Sequence, residues 1–293
     1  MPRLLVSIFV LLSLGLAAQA PPAPGDLLLS EILFDPVGEG ADFVELYNAS
    51  ADTLSINGLQ LINARGTTRT LTTEQWLPPA AYVVLTDNPQ DILMHFPDAH
   101  PDFVLDLDLP SLPNTSGTVE IFTVDGVLLD RFDYEESMHS VLIDPEGVSL
   151  ERRSFDLPSD TKDNWHSAAS GAGYGTPTQP NSQGDVAAVT RPDVQLSEPV
   201  FFPASGGRQR SATVTYRTAR PGWLAQLAVF DSAGRPVASQ PRTELLGTRG
   251  ALNWDGRDST GTLQPAGPYV LLVNLFHPDG RTATFKFVAV LSS

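Results

Sequence analysis

The chain contains no cysteine. That removes disulfides, thiolate zinc sites, cysteine nucleophiles and a lipid-modified N-terminal cysteine from consideration. Basic residues are scarce: 18 Lys and Arg stand against 34 Asp and Glu, a net charge of −16. Such a chain repels phosphate backbones, so nucleic acid is not an expected partner. No long helical pattern is evident, and the longest apolar run, Leu4 to Leu16, is too short to span a bilayer comfortably. Pro and Gly are plentiful instead, 25 and 23 of 293 residues, as suits short strands joined by tight turns. With 42% hydrophobic residues, the chain can fill the cores of one to three domains.

The apolar run follows Arg3 and ends in the small-x-small triplet Ala18-Gln19-Ala20, then Pro21-Pro22. Those are the parts of a cleaved export signal over residues 1–20, with Ala18 and Ala20 at the cleavage site. The mature protein is then expected outside the cytoplasm, secreted or at the cell surface, with no membrane span after signal removal.

Charge divides the remainder sharply. Residues 21–185 carry 27 acids against 6 bases, whereas residues 186–293 carry 7 acids against 11 bases. Between the two blocks, 171–184 reads GAGYGTPTQPNSQG, which offers few core-filling side chains and reads as irregular chain leading into a linker. The expected parse is a first domain over 27–182, a linker over 183–193 and a second domain over 194–293.

Both blocks read as all-β. In the first, short apolar runs at 27–33, 43–47, 82–85, 119–123 and 127–132 are bounded by turn residues, and Asp125-Gly126 signals a hairpin between the last two. The stretch 103–109 alternates at its end and puts Asp106 and Asp108 on one solvent-facing side. One short helix is expected over 89–96, with Asn88 as cap, Pro89 in the first turn and Pro97 as its stop. In the second block, 212–216, 224–230, 269–276 and 284–291 have strand character. Asp231–Gly234, Asp258–Gly261 and His277–Gly280 supply turns. The expected fold class is two Ig-like β-sandwich domains in tandem.

The acidic block resembles the lamin-tail domain, an Ig-like sandwich of nuclear lamins and many exported bacterial proteins. The resemblance rests on Leu29-Ser30-Glu31-Ile32-Leu33-Phe34-Asp35-Pro36, on Asp42-Phe43-Val44-Glu45-Leu46-Tyr47-Asn48 and on Leu54-Ser55-Ile56-Asn57-Gly58-Leu59-Gln60-Leu61. It continues through Leu77–Leu85 and Asp125–Asp130 to Ser149-Leu150-Glu151-Arg152-Arg153, Asn164-Trp165 and Gly175-Thr176-Pro177. It implies a sandwich and a mainly non-catalytic role, with a packing role for Trp165.

The basic block is similar to the Ig-like domain of the flagellar hook-capping protein and to C-terminal domains of exported Bacteroidetes-type proteins. The similarity lies in Val229–Val237, Asn253–Asp258 and Gly267–Val270. Some such C-terminal domains are type IX secretion sorting signals cut off at the cell surface. Here Lys286 is the only late lysine, a departure from the lysine-rich finish of many of them.

Chemistry-bearing patterns are few. None of the five histidines (His95, His100, His139, His166, His277) pairs four apart on a helix, so they read as scattered exposed residues. There is no Gly-x-Ser-x-Gly elbow, and Gly171-x-Gly173-x-Gly175 runs into Thr176-Pro177 rather than a helix. Glu31 and Glu45 are expected to hydrogen-bond locally or face solvent, and Glu135-Glu136 to form a solvated turn. Asp35, Glu39 and Asp42 share one loop between strands, and calcium is the cation such oxygen donors could take, although EF-hand spacing is missing. No other cofactor is expected.

The reading these features favour is an exported, non-catalytic interaction or structural protein rather than an enzyme. Its partner would be a protein or a cell-surface polymer, and the opposite charges of the two blocks also allow self-association. The alternatives are a secreted hydrolase of phosphodiesters or glycans, for which no triad or metal cluster is legible, and a calcium-dependent binding module.

Overall fold

The computed structural model describes residues 21–184, 191–203, 209–239 and 243–292. Ala18 and Ala20, with the rest of the expected signal, lie outside the described residues, as do 185–190 of the expected linker.

Twelve strands come from the acidic block: β1 (Leu27–Leu33), β2 (Phe43–Asn48), β3 (Leu54–Ser55), β4 (Gln60–Asn63), β5 (Thr68–Thr70), β6 (Trp76–Leu77), β7 (Tyr82–Thr86), β8 (Val104–Asp106), β9 (Ser116–Phe122), β10 (Leu128–Glu135), β11 (Leu150–Arg152) and β12 (Trp165–Ser167). They build a six-stranded sheet in the order β12-β11-β1-β2-β7-β8 and a four-stranded sheet in the order β10-β9-β4-β5, with β3 and β6 as a small ribbon. The hairpin at Asp125-Gly126 forms as its sequence requires: Gly126 adopts φ +78°, and Thr123 N–H donates to the Val127 carbonyl at 2.9 Å. Asp106 and Asp108 are both exposed, although the regular strand stops at Asp106.

One face of the six-stranded sheet packs on the four-stranded sheet through Leu29, Ile32, Phe34, Val44, Leu46, Leu85 and Leu150, with Ile121 and Phe132 opposite. Trp165 does pack: its ring stacks on Phe132 at 3.7 Å, and its indole N–H donates to the Ser159 carbonyl at 2.8 Å. The other face of that sheet is covered as well. Helix α1 (Pro89–His95), capped by the Asn88 side chain on the Asp91 N–H, presses Ile92 and Phe96 onto Leu33, Phe43 and Val84. Every residue of β1 is therefore buried, where a half-covered sheet would show alternation.

The basic block supplies β13 (Asp193–Leu196), β14 (Val200–Phe201), β15 (Ala212–Arg217), β16 (Leu224–Phe230), β17 (Pro236–Ser239), β18 (Glu244–Leu245), β19 (Arg249–Trp254), β20 (Gly267–Phe276) and β21 (Thr282–Leu291). A three-stranded sheet, β13-β15-β19, faces a larger one in the order β14-β21-β20-β16-β17, with β18 added beside β16. Between them lies a separate core that includes Phe201, Val214, Leu227, Trp254 and Leu271. Among the described residues no strand of one block pairs with a strand of the other. The chain is all-β, two sandwiches in tandem.

Candidate functional site at the junction of the sandwiches

The most unusual chemistry lies on the outer face of the six-stranded sheet. Glu31 on β1 stands directly across from Glu151 on β11 and from Glu45 on β2, so the three side chains form one row across neighbouring strands. All three are completely inaccessible to solvent. The expectation that Glu31 and Glu45 face solvent or bond locally is corrected here. The sheet face they point from is roofed over, and their partners come from far along the chain.

Those partners belong mostly to the segment 174–184, a strap that crosses the row. Thr176 N–H donates to Glu31 at 2.9 Å, and the Thr176 hydroxyl lies 3.2 Å from Glu31 Oε2 and 2.7 Å from Glu151 Oε1. Thr178 N–H donates to Glu45 Oε2 at 2.5 Å. The Ser182 hydroxyl and the Gln183 N–H both donate to Glu151 Oε2, at 2.8 and 2.9 Å. The Ser149 hydroxyl completes the set on Glu31. Asn181 donates to the carbonyls of Ser30 and Arg152, fixing the strap to β1 and β11. Irregular chain with little apolar content is therefore not a surface linker up to residue 184. Gly175, Thr178, Asn181 and Gln183 are buried, and a Cβ on Gly175 would run into the ring of Phe96.

Arg152 projects from the opposite face of β11 and pairs with Asp130. Burial pushes the carboxyl of Glu31 up to about 8, with Glu151 adding to the effect, and it raises Glu45 well above the usual range, with Glu31 adding to it. Glu151 is raised too, again by burial, against the opposing pull of its hydrogen bonds from Thr176, Ser182 and Gln183. The geometry agrees with this. Thr176 has a single hydroxyl proton, and the shorter of its two contacts, 2.7 Å against 3.2 Å, directs it to Glu151 and leaves Glu31 less well satisfied from that hydroxyl. Glu45 Oε1 has no hydrogen-bond partner, as fits a neutral carboxyl better than an anion.

The strap also carries the joint to the second sandwich. Gln183 is wholly buried, and its side-chain amide donates to the Ser167 carbonyl at 2.9 Å and the Leu246 carbonyl at 3.2 Å. Thr248 returns its N–H to the Ser182 carbonyl at 2.9 Å and its hydroxyl to the Gly184 carbonyl at 2.7 Å. The Ser170 hydroxyl, in a single 3-10 turn, reaches the Leu245 carbonyl at 2.9 Å. A cleft of about 1200 Å³ flanks this joint, lined by Tyr47, Tyr82, Phe155, Arg153 and Asn181 of the first sandwich and Arg249 of the second. Phe155 stacks on Tyr47 at 4.1 Å.

The acidic loop behaves differently from the row. Asp35 and Asp42 lie near one another and near Asp87, and burial together with those two charges pushes the Asp42 carboxyl up to about 7. Asp35 accepts from the Asn114 amide, and Glu39 is exposed. Among the described residues Asp35, Glu39 and Asp42 are not gathered into one set of metal ligands, nor are any other three acids or histidines.

The histidines are not uniformly exposed, a second correction. His139 is buried against Phe34, its Nδ1 3.0 Å from the Ser167 hydroxyl, because the segment after β10 folds back under β12. His166 and His277 are partly covered and line a small cavity between the sandwiches. Glu135 and Glu136 are exposed, as expected of a solvated turn.

In sequence, the only sign of the row was a glutamate in the middle of each of two apolar runs, Leu-Ser-Glu-Ile-Leu and Val-Glu-Leu. The sign of its roof was a strap dense in hydroxyls and amides rather than in apolar side chains.

Residues 20–154 match the family model described as the Lamin Tail Domain. No curated protein matches the chain. Among solved structures, similarity is found to latent PorU from Porphyromonas gingivalis, at 14% identity and a TM-score of 0.28, covering 91% of this chain and 20% of PorU. The chain thus spans about a fifth of that protein. FlgD from P. aeruginosa is similar at 18% identity and a TM-score of 0.25, covering 36% of this chain and 78% of FlgD. CopC from Methylosinus trichosporium OB3b is similar at 15% identity and a TM-score of 0.23, covering 34% of this chain and 89% of CopC. Among the described residues no helix is long and apolar enough to cross a membrane.

Proposed function

We propose that this chain, whose residues 20–154 are a lamin tail domain, is an exported, non-catalytic interaction or structural protein of the cell surface or extracellular space. Both sandwiches are working parts, and the cleft beside their joint is the face that meets a protein or surface polymer. The lamin tail domain belongs to a non-catalytic fold family, and a fold by itself supplies no reaction.

The observation that carries the reading is Gln183. It is completely buried and bonds at once to the first sandwich and to Leu246 of the second. Cutting away the second sandwich as a spent sorting signal would replace these specific bonds of the Gln183 amide and the Ser182 and Gly184 carbonyls with water, and so dismantle a joint built residue by residue. The test is the intact mass of the native protein recovered separately from cells and from medium. The expected mass lacks about the first twenty residues, as a cleaved signal requires, and keeps the basic block. A mass that retains the N-terminus overturns export, and one that lacks residues beyond the joint overturns the two-part reading.

A further inference from the structure

Three carboxyl groups side by side in one cross-strand row and wholly shut away from solvent cannot all readily carry charge. The strap 174–184 both supplies most of their hydrogen-bond donors and forms the joint to the second sandwich. We propose that the Glu31–Glu45–Glu151 row is a proton-dependent latch: protonated, it holds the strap closed and the two sandwiches joined; deprotonated, it expels the strap and uncouples them.

The titratable or charged groups nearest the row on the sheet are His166, directly across from Glu151 on β12, Arg153, whose charge acts on His166, and Tyr47 and Tyr82 on β2 and β7. Burial lowers His166 and raises Tyr82, so both stay neutral over the range in which the latch acts. Over the strap, Asp98 and His100 contribute only backbone groups, to Gln179 and to the Thr178 hydroxyl. From the second sandwich the joint presents Leu245, Leu246, Gly247 and Thr248, with Glu244 and Arg249 as the charged residues at its two ends. The Arg152 guanidinium is committed to Asp130 on the far face of β11.

The strap is also under tension. Thr178 sits at φ +63°, where a β-branched side chain is strained, and Tyr174 sits at φ +66°. Both conformations last only while the bonds to the row and to Ser149 hold them. Losing the protons on Glu31 and Glu45 places like charges on adjacent strands in a dry site.

Direction follows from burial: the protons are held at neutral pH and lost as pH rises toward and past about 8. The test is hydrogen exchange on the full chain at about pH 6.5 and about pH 9, expressed as protection factors so that base catalysis of exchange is removed. Protection of Thr176, Thr178 and Gln183 is expected to fall by about tenfold or more at the higher pH, with Thr248 falling in step and β20 and β21 unchanged. In the double variant Glu31→Gln/Glu45→Gln the fall disappears. Strap protection that persists at the higher pH in the unaltered chain overturns the latch, and so does an equal fall in the double variant. If that variant does not fold, the infrared carbonyl band of protonated carboxylic acid decides the matter in Asp42→Asn, which removes the other carboxyl held protonated near neutral pH. It should be present at neutral pH and vanish together with strap protection; its absence at neutral pH overturns the proposal.

Discussion

Arg152 and Asp130 form an ion pair of 2.8 Å that ties the two sheets of the first sandwich together almost entirely out of solvent. The pair closes a fault in the sheet. Between Leu29 and Glu31 the register of β1 against β2 shifts, and the freed backbone of Leu29 is taken up by the pair itself. Its N–H donates to Asp130 at 2.9 Å, and its carbonyl accepts from Arg152 at 3.1 Å. Arg152 also donates to the Ser154 and Leu157 carbonyls, so one guanidinium satisfies acceptors in three segments. Replacing Arg152 with Met leaves a buried carboxylate and several acceptors unpaired. The expected loss is about 3–5 kcal/mol, read from the urea midpoint at unchanged slope. Arg152→Lys should recover little of it, since one ammonium cannot cover that spread of acceptors.

The same device recurs in both sandwiches. Tyr134 on β10 lies across the bare backbone of its cross-strand partner Gly117 on β9, and Tyr216 on β15 lies likewise over Gly250 on β19. A Cβ at either glycine would collide with the tyrosine hydroxyl and ring. Gly117→Ala and Gly250→Ala are each expected to cost about 1–3 kcal/mol by overpacking. Two melting transitions, with each substitution lowering its own, would show the sandwiches unfolding separately. A single transition lowered by both would show that the joint couples them.

Much of this fold was legible in the sequence, and the reason is local. Runs such as 27–33 and 224–230, and the turns Asp125-Gly126 and Asp279-Gly280, state their structure within ten residues. What stayed illegible depends on distant partners. The bonds from Glu31 to Thr176 and from Glu45 to Thr178 span 145 and 133 residues, and nothing near either glutamate announces the strap. His139 was hidden for the same reason, since the Ser167 that meets it lies on a strand formed 28 residues later. Strand β19, which includes Asn253 and Trp254, matched a domain resemblance but carried no strand signal of its own.

His139 should make stability depend on pH on the acid side. Burial lowers its imidazole from 6.5 to about 4, so the folded chain keeps it neutral while the unfolded chain protonates it. Its contribution is complete above about pH 6.5 and is lost as pH falls toward 4. The glutamate row has the opposite slope: its contribution is complete below about pH 4.5 and is lost as pH rises through about 8. The two windows overlap, so between about pH 4.5 and 6.5 His139 offsets part of the decline that the row imposes. His139→Phe should steepen the decline in that interval and leave the decline above about pH 6.5 in place, and a melting-temperature profile across pH checks both.

Asp42 supplies the last prediction. Its carboxyl is pushed up to about 7 by burial and by Asp87 and Asp35, so folding loses stability as pH rises from about 4 to about 7 and the group ionises. Asp42→Asn removes the ionising group while keeping the shape. It should raise stability by about 1 kcal/mol or more at pH values well above 7 and change little below about pH 4. The same substitution tests calcium at the loop of Asp35, Glu39 and Asp42. A bound cation would relieve the same repulsion, so calcium would raise the melting temperature of the unaltered chain at alkaline pH and leave Asp42→Asn unmoved. A melting temperature indifferent to calcium in both chains would retire the loop as a cation site and leave it as a patch of like charge held together by the fold.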